Sequence, residues 1–168
     1  MADRTQVIVA HIETLAVDAI VNPANSRLAP GGGADGAIRA AAGPEMNRLL
    51  ASAGGLAEGA ALTTPGFRLP ARWVIHTVAP VWSAPGDEAD KIATLRACYG
   101  ACLSAGAEIG VKTIAFPAIG TGIYRWPKQL ACETAIGVVR AHPAPIETVT
   151  FCCFSQEDAE LYHRTLGG

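Results

Sequence analysis

Asn25, the triple glycine at 31–33 and Asp35 bring a carboxamide, a flexible turn and a carboxylate close together in the chain. Glycine lets the backbone turn with its N–H groups pointing inward, and it lets a ligand approach closely. An alanine-rich run from Asp35 predicts a helix, whose free N–H groups and dipole favour an anion at its start. The segment therefore predicts a binding site for a ligand that carries phosphate.

A second glycine-bearing loop, IGTGIYRW, occupies residues 119–126. It follows a predicted strand at 112–117, as the first loop follows a predicted strand at 19–21. Ligands of α/β sheets bind beyond the carboxyl ends of the strands, so both loops border one crevice if these two strands are neighbours. Two facing loops with free backbone amides suit a diphosphate better than a single phosphate.

Strand and helix patterns alternate along most of the chain. The predicted strands are 5–12, 19–21, 60–64, 73–78, 112–117 and 147–154, and the predicted helices are 35–42, 44–53, 87–107, 127–142 and 156–166. Several strands are apolar on both faces, which is typical of a sheet covered by helices on both sides. Pro127 suits the first position of its helix. No repeat or linker interrupts the pattern, so residues 1–168 are expected to form one domain.

Composition limits the class of protein. The chain has 168 residues, of which 50% are hydrophobic and 17% charged, so we expect a globular domain with its own core and no need of a partner to complete it. A net charge of −2 gives no general attraction to nucleic acid. The sequence has neither a secretory leader pattern nor an apolar run of membrane-spanning length, so a cytoplasmic monomer is expected.

The five cysteines are expected to be buried small residues, because their number is odd and their spacing matches no disulfide framework. Cys98 and Cys102 should share one helix face, whereas Cys152 and Cys153 should point to opposite sides of a strand. No cluster of cysteine and histidine has zinc spacing. We therefore expect neither a metal nor a redox cofactor.

Three segments together resemble the macrodomain family in its MacroD-type branch. They are VDAIVNPANSRLAPGGGADGAIRAAAGP at 17–44, LPARWVIHTVAP at 69–80 and FPAIGTGIYRWP at 116–127. A triple glycine alone would be weak support, but NPAN, GGGADGAI and GTGIY in this order are specific, and the resemblance spans nearly the whole chain. It implies a three-layer α/β/α sandwich with a central mixed β-sheet, and ADP-ribose bound in a cleft.

The resemblance also implies an enzyme. MacroD-type members are hydrolases that remove mono-ADP-ribose from acidic side chains of proteins and that cleave O-acetyl-ADP-ribose. The implied ligands and partners are therefore ADP-ribose, acyl-ADP-ribose and mono-ADP-ribosylated proteins. The substrate-binding residues that the resemblance implies are His11, Ile12, Ala24, Gly31, Gly32, Gly33, Gly120, Thr121, Gly122 and Ile123.

Asn25, Asp35 and Tyr124 are the catalytic residues that the resemblance implies. Asn25 would bond the distal ribose, Asp35 would position or activate water, and Tyr124 would narrow the space beside the ribose. A carboxylate at a helix start is stabilised in its charged form, and a strongly stabilised carboxylate is a weak general base. We therefore expect Asp35 mainly to orient the water, with a phosphate oxygen of the ligand sharing the proton transfer.

The sequence departs from the family pattern at the end of the first strand. The family usually has Gly-Asp-Ile there, and its aspartate accepts a hydrogen bond from the adenine amino group, whereas this chain has Ala10-His11-Ile12 followed by Glu13. Neutral histidine accepts through one ring nitrogen, but protonated histidine only donates. We therefore expect His11→Asp to tighten the binding of ADP-ribose.

Two smaller departures are Pro30, where a fourth glycine is common, and Gly120, where serine is common. Proline stiffens the entry to the first loop. Glycine at position 120 removes a hydroxyl but keeps the backbone amide. Neither change removes an implied catalytic residue.

Simpler structural roles remain open for several of these side chains. Asp35 alone would be read as a helix cap, and Asn25 alone as a residue that stabilises a turn. Asn22 is expected to cap the turn before Pro23, and His76 to be a hydrogen-bonded residue of the sheet. The alternative function is a module that binds ADP-ribose without removing it, since such a module needs the glycine loops but not the Asn25 and Asp35 pair. A third possible function is that of a module that docks RNA or protein partners, and the net charge of −2 gives this function little support.

Overall fold

The structure, a computed structural model, describes residues 3–167. The strands in the described residues are β1 (Thr5–Val9), β2 (Ala19–Pro23), β3 (Ala61–Pro65), β4 (Trp73–Thr77), β5 (Thr113–Phe116) and β6 (Thr148–Cys153). The helices are α1 (Gly33–Ala42), α2 (Pro44–Ala51), α3 (Glu88–Glu108), α4 (Lys128–Ala141) and α5 (Gln156–Gly167), with one turn of 3₁₀ helix at Ile12–Thr14.

The strands form one mixed sheet in the order β1-β6-β5-β2-β4-β3. Every neighbouring pair is parallel except β3 and β4, which are antiparallel. β2 and β5 are neighbours, with Ala19 opposite Ile114 and Ile20 opposite Ala115. Their carboxyl ends therefore meet at one edge of the sheet, as the positions of the two glycine loops require.

Helices cover both faces of the sheet, so the predicted α/β/α sandwich is confirmed. One face packs against α3, α4 and α5 through a core that contains Tyr99, Phe116 and Phe151. The other face packs against α1 and α2 through a core that contains Ile38 and Met46. Both cores are apolar, and each strand of the sheet centre is buried on both sides, which explains the continuous apolar runs in the sequence.

The cysteines occupy the interior, as predicted. All five are free and buried. Cys98 and Cys102 lie in the same core, whereas Cys152 and Cys153 contribute to opposite cores. Burial raises the pKa of the Cys153 thiol to about 12 and that of the Cys152 thiol to about 11, so both are thiols rather than thiolates at neutral pH.

Several predicted boundaries were wrong by a few residues, among them the following three. β1 ends at Val9 rather than at position 12, because the backbone N–H and the hydroxyl of Thr14 both donate to the carbonyl of His11 and fold the chain into a 3₁₀ turn. α1 begins at Gly33, which puts Asp35 inside its first turn and not at its cap. Pro127 is the cap residue before α4 rather than its first helical residue.

No helix within residues 3–167 combines the length and the apolar character that crossing a membrane requires. Within the same residues, no group of three or more histidine, cysteine, aspartate or glutamate side chains is arranged to hold a metal ion.

Candidate active-site cleft

A cleft of about 470 Å³ opens where β2, β5 and β6 end. The loop after β2 forms one wall and the loop after β5 forms the other, while residues that follow β6 close one end. Its lining residues are Pro23, Asn25, Gly31, Gly32, Gly33, Ala34, Asp35, Pro117, Ala118, Gly120, Thr121, Gly122, Ile123, Tyr124, Lys128, Cys152, Phe154 and Asp158.

Most of the residues that the sequence singled out line this cleft. They are Asn25, Asp35, Tyr124, Gly31, Gly32, Gly33, Gly120, Thr121, Gly122 and Ile123. Ile12 and Ala24 do not line it, because their side chains are buried in the core beneath α1 and α2. His11 also lies outside the lining, but its ring meets the ring of Phe154 edge-on, with 6.0 Å between their centroids.

Asp35 lines the cleft and is held there by three hydrogen bonds. The residue is 4% exposed. Oδ1 accepts from Asn22 Nδ2 at 2.8 Å and from Arg39 Nε at 3.0 Å, and Oδ2 accepts from the backbone N–H of Gly31 at 2.7 Å. These three donors come from β2, from α1 and from the glycine turn, so the carboxylate ties the turn to the sheet. The interpretation of Asp35 as a simple helix cap was therefore wrong.

Arg39 is the buried counter-charge of Asp35, one helical turn further along α1. Its remaining donors bond Asn47 Oδ1 and the carbonyl of Leu28, both at 2.9 Å. A buried ion pair of this kind destabilises the fold strongly when one partner is removed, because the other charge is left unpaired. Only the i, i+4 spacing of the two residues could have indicated this pair from the sequence.

Asn25 stabilises the turn that leads to the glycines. Its Oδ1 accepts from the backbone N–H groups of Arg27 and Ala29 at 3.2 and 3.0 Å, and its Nδ2 donates to the carbonyl of Ala29 at 2.8 Å. The turn chemistry that the sequence left open is thus present, and the side chain still lines the cleft.

A buried chain of polar side chains extends from Asp35 into the sheet. Asn22 Nδ2 lies 3.0 Å from His76 Nδ1, and His76 Nε2 lies 2.9 Å from Thr64 Oγ1. Asn22 and His76 are fully buried, so the prediction that Asn22 caps the turn before Pro23 was wrong, whereas the prediction of a hydrogen-bonded sheet histidine is confirmed. Burial, aided by the charge of Arg39, lowers the pKa of His76 to about 4, against a smaller opposing effect of Asp35.

The second loop is shaped by Trp126. Gly120 has φ +85, and a Cβ built on it would lie 2.5 Å from the Trp126 ring. The backbone N–H of Trp126 donates to the carbonyl of Gly120 at 3.0 Å, and its indole Nε1 donates to the carbonyl of Pro80 at 2.9 Å. Position 120 therefore requires glycine here, both for its left-handed backbone and for its contact with the indole.

Tyr124 and Ile123 lie on the second loop, at the edge of the cleft. Tyr124 is half-buried, and burial raises the pKa of its phenol, with further increases from Glu58 and Asp35. It is therefore an uncharged hydrogen-bonding group at neutral pH. Ile123 is 85% exposed, which is unusual for an isoleucine and places an apolar side chain at the mouth of the cleft.

Phe154, Lys128 and Asp158 complete the end of the cleft after β6, and none of the three was predicted from the sequence. Phe154 is 79% exposed. Lys128 Nζ and Asp158 Oδ1 form an ion pair of 2.8 Å. The sequence predicts Phe154 as the last residue of an apolar strand, and its exposure beside the cleft is visible only in the structure.

The fold and the cleft together define a class of protein, namely an α/β/α domain with a cleft between two glycine loops at the carboxyl edge of its sheet. The sequence profile of the Macro domain family matches residues 21–135. A macro domain-containing protein of Ralstonia nicotianae is 50% identical over 157 residues, which cover 94% of this chain and 91% of that protein. The chain belongs to the macro domain family.

Other relatives carry more specific names. The O-acetyl-ADP-ribose deacetylase of an Enterobacter species is 44% identical over 174 residues, with 99% of this chain and 95% of that protein covered. The solved structure of the Oceanobacillus iheyensis macrodomain with ADP has a TM-score of 0.89 and 32% identity, over 97% of this chain and 90% of that one. The Trypanosoma brucei macrodomain in complex with ADP-ribose also scores 0.89, at 34% identity, over 98% of this chain and 69% of that one.

Proposed function

We propose that this protein binds ADP-ribose in the cleft and hydrolyses esters of its distal ribose, on O-acetyl-ADP-ribose and on acidic side chains of mono-ADP-ribosylated proteins. The observation that carries the proposal is the position of Asp35 and Asn25 on the cleft wall beside two loops of free amides. The names of the related deacetylases and the ADP-ribose in a structural neighbour support it.

The pyrophosphate lies between the two loops. The N–H groups of Gly32, Gly33 and Ala34 have no backbone acceptor within residues 3–167, and neither have those of Gly122, Ile123 and Tyr124. The first set opens helix α1, where the dipole adds to the attraction for a phosphate. The second set faces it across the cleft, so each phosphate meets its own group of donors.

The base of ADP-ribose lies at the end of the cleft that Phe154 borders. This ring is 79% exposed and borders the cleft, and its plane is inclined by 79° to that of His11. Stacking of a nucleobase on an aromatic side chain contributes about 1–3 kcal/mol and needs no particular base. Phe154 therefore supplies affinity at this end, and position 11 supplies the polar contact.

The distal ribose then reaches Asn25, Asp35 and Tyr124. Hydrolysis adds water across the acyl–oxygen bond of the ester and releases ADP-ribose and a carboxylate. Asp35 is fixed by three donors, so its contribution is to hold the water in line with the ester. Positioning of reactants accounts for up to about 7–11 kcal/mol of barrier in favourable intramolecular cases. The neutral phenol of Tyr124 limits the space beside the ribose.

The test is turnover of two substrates, O-acetyl-ADP-ribose and an auto-modified mono-ADP-ribosylated protein, with release of ADP-ribose as the readout. We expect release by the native chain and at least about a tenfold loss in kcat for Asn25→Ala and for Asp35→Asn. Asp90→Asn is the matched control, because Asp90 is an exposed acid on α3 that does not line the cleft.

The rival function is binding without hydrolysis, and one observation favours it. Asp35 accepts three hydrogen bonds from the protein and pairs with Arg39, and a purely structural carboxylate would be satisfied in the same way. Calorimetric binding of ADP-ribose with no release from either substrate would establish this rival. Absence of both binding and release would refute the two functions together.

A further inference from the structure

We propose that His76 is a positioning residue for hydrolysis: its Nε2–H tautomer, selected by Thr64, makes Asn22 present an N–H to Asp35. His76 does not line the cleft. The inference rests on the proposed function, because it concerns how the hydrolytic carboxylate is oriented.

The direction of each hydrogen bond in this chain follows from the groups themselves. Asn22 Nδ2 must face Asp35 Oδ1, because a rotated amide would bring its oxygen against the carboxylate. The same Nδ2 faces His76 Nδ1 at 3.0 Å, and an amide nitrogen only donates. His76 Nδ1 therefore accepts, and the ring proton is on Nε2.

Thr64 completes the selection of this tautomer. Its hydroxyl donates to the carbonyl of Pro65 at 3.2 Å, so the lone pairs of Oγ1 are free to accept from His76 Nε2 at 2.9 Å. Thr64 is 3% exposed and His76 is 0% exposed, which leaves His76 Nε2 without solvent as an alternative acceptor. A proton on Nδ1 instead would point at the N–H of Asn22.

The sheet brings these groups together. Asn22 and His76 are paired residues of the parallel strands β2 and β4. Thr64 lies on β3, diagonally across from His76, whose direct partner there is Leu62. Side chains at direct and diagonal positions of neighbouring strands lie within reach of each other. Three strands thus support one carboxylate on α1.

The orientation of the Asn22 amide is set by its two N–H groups and not by its oxygen. Its Oδ1 is buried and has no hydrogen-bond partner among residues 3–167. A buried carbonyl oxygen without a partner is costly, and such atoms are rare in folded proteins. The amide keeps this orientation because both of its N–H groups are engaged, one by Asp35 and one by His76.

The charged groups around His76 maintain its neutral state. Arg39 opposes a second proton on the ring and Asp35 favours one, and both side chains belong to α1. Desolvation is the largest effect and acts with Arg39, so the ring accepts at Nδ1 throughout the neutral range. Conversion to the imidazolium would remove that acceptor.

The first measurement is the tautomer of His76 in the native chain at pH 7, from its ring ¹⁵N chemical shifts. We expect the Nε2–H form. Detection of the Nδ1–H form would overturn the proposal whatever the activity of the protein.

The second measurement uses paired variants. Thr64→Val keeps the shape of the side chain and removes the acceptor, whereas Thr64→Ser keeps the hydroxyl. We expect Thr64→Val to lower kcat at least about tenfold, with KM and the calorimetric affinity for ADP-ribose unchanged, and Thr64→Ser to restore most of kcat. Thr150→Val is the control, because Thr150 is also a buried strand threonine whose hydroxyl accepts one side-chain hydrogen bond, from Gln6.

His76→Asn and His76→Leu form the second pair, since asparagine offers an oxygen near the position of Nδ1 and leucine has the same shape without it. We expect His76→Asn to retain more kcat than His76→Leu. If the two variants of each pair lose the same fraction of kcat, in proportion to their lost thermal stability, the role of these residues is merely structural and the proposal is overturned. Native turnover with unaffected variants would refute this inference alone, whereas absence of native turnover would refute the proposed function.

Discussion

The carboxylate of Asp35 and the backbone N–H of Gly31 form a hydrogen bond of 2.7 Å across the triple-glycine turn. The backbone N–H of Gly31 therefore donates to Asp35 and is not available to a ligand. A Cβ on Gly31 would lie 3.2 Å from Asp35 Oδ2, so the turn also depends on the small size of this residue. In the proposed complex the amides of the first loop that face a phosphate are accordingly those of Gly32, Gly33 and Ala34, and the Gly31 bond joins the turn to the acid.

Gly36→Ala should test this coupling from the opposite side of the turn. A Cβ on Gly36 would lie 2.8 Å from the carbonyl oxygen of Gly31, so the turn must shift. We expect kcat/KM for O-acetyl-ADP-ribose to fall at least about tenfold, because small misplacements of reacting groups have large effects. The control is Gly137→Ala in α4, where the nearest atom lies 3.9 Å away. It should raise the free energy of unfolding by about 0.5–1 kcal/mol, and a Gly36→Ala protein that behaved in the same way would contradict the coupling.

Gly120→Ala should disturb the second loop. Alanine with φ +85 is strained by roughly 1–2 kcal/mol, and its methyl group would displace the ring of Trp126. We expect a lower melting temperature, weaker binding of ADP-ribose and a changed tryptophan emission spectrum. Gly122→Ala is the control for stability, since no atom lies within 4 Å of the position that its methyl group would take and its φ is not in the left-handed region. Equal melting temperatures for the two variants would be inconsistent with a clamped loop.

Stability should fall as the pH is lowered from about 6.5 to about 4. In this range the unfolded chain binds a proton at His76 and the folded chain does not, because the pKa of the buried ring is about 4. The unfolded state therefore binds more protons, and its population rises as the pH falls. The loss amounts to roughly 3 kcal/mol from this one group.

Urea unfolding of the native chain and of His76→Asn at several pH values would measure this loss. The variant should show a much smaller change in free energy of unfolding over the same range. His142, whose pKa is also lowered by burial and by Arg4, adds a contribution of the same sign, so His142→Asn serves as the second reference. The pKa values of the Asp3 and Asp18 carboxyl groups are lowered as well, so their contribution to stability is lost only at more acidic pH. If the free energy of unfolding of His76→Asn fell with pH as steeply as that of the native chain, the loss of stability could not be assigned to His76.

His11→Asp should tighten the binding of ADP-ribose. His11 is exposed and lies beside Phe154, where we propose that the base lies, and its Nδ1 is 3.8 Å from Glu13 Oε1. A carboxylate there would accept from the amino group of adenine, and a charge-assisted hydrogen bond contributes roughly 1.5–3 kcal/mol, or about ten- to a hundredfold in affinity. His11→Asn is the uncharged control. Unchanged or weaker binding by calorimetry would show that position 11 does not face adenine.

The general architecture and the cleft could be predicted from the sequence because they depend on local patterns. Apolar runs identified the strands, and the glycine loops pointed to one edge of the sheet once β2 and β5 were neighbours. The contacts of Asn22, in contrast, depend on strand order and on side-chain direction. His76 is 54 positions away from Asn22 in the chain, and no periodicity relates them. Phe154 was missed for a different reason, since an exposed aromatic residue has meaning only when a cleft is known to be beside it.

β3, which contributes Thr64, is the antiparallel strand at the margin of the sheet. Marginal strands open locally at a smaller free energy than the whole fold, because only one neighbour holds them. Catalytic competence would then be sensitive to fraying at the periphery: mild denaturant would abolish turnover while the circular dichroism of the helices still reports an intact protein.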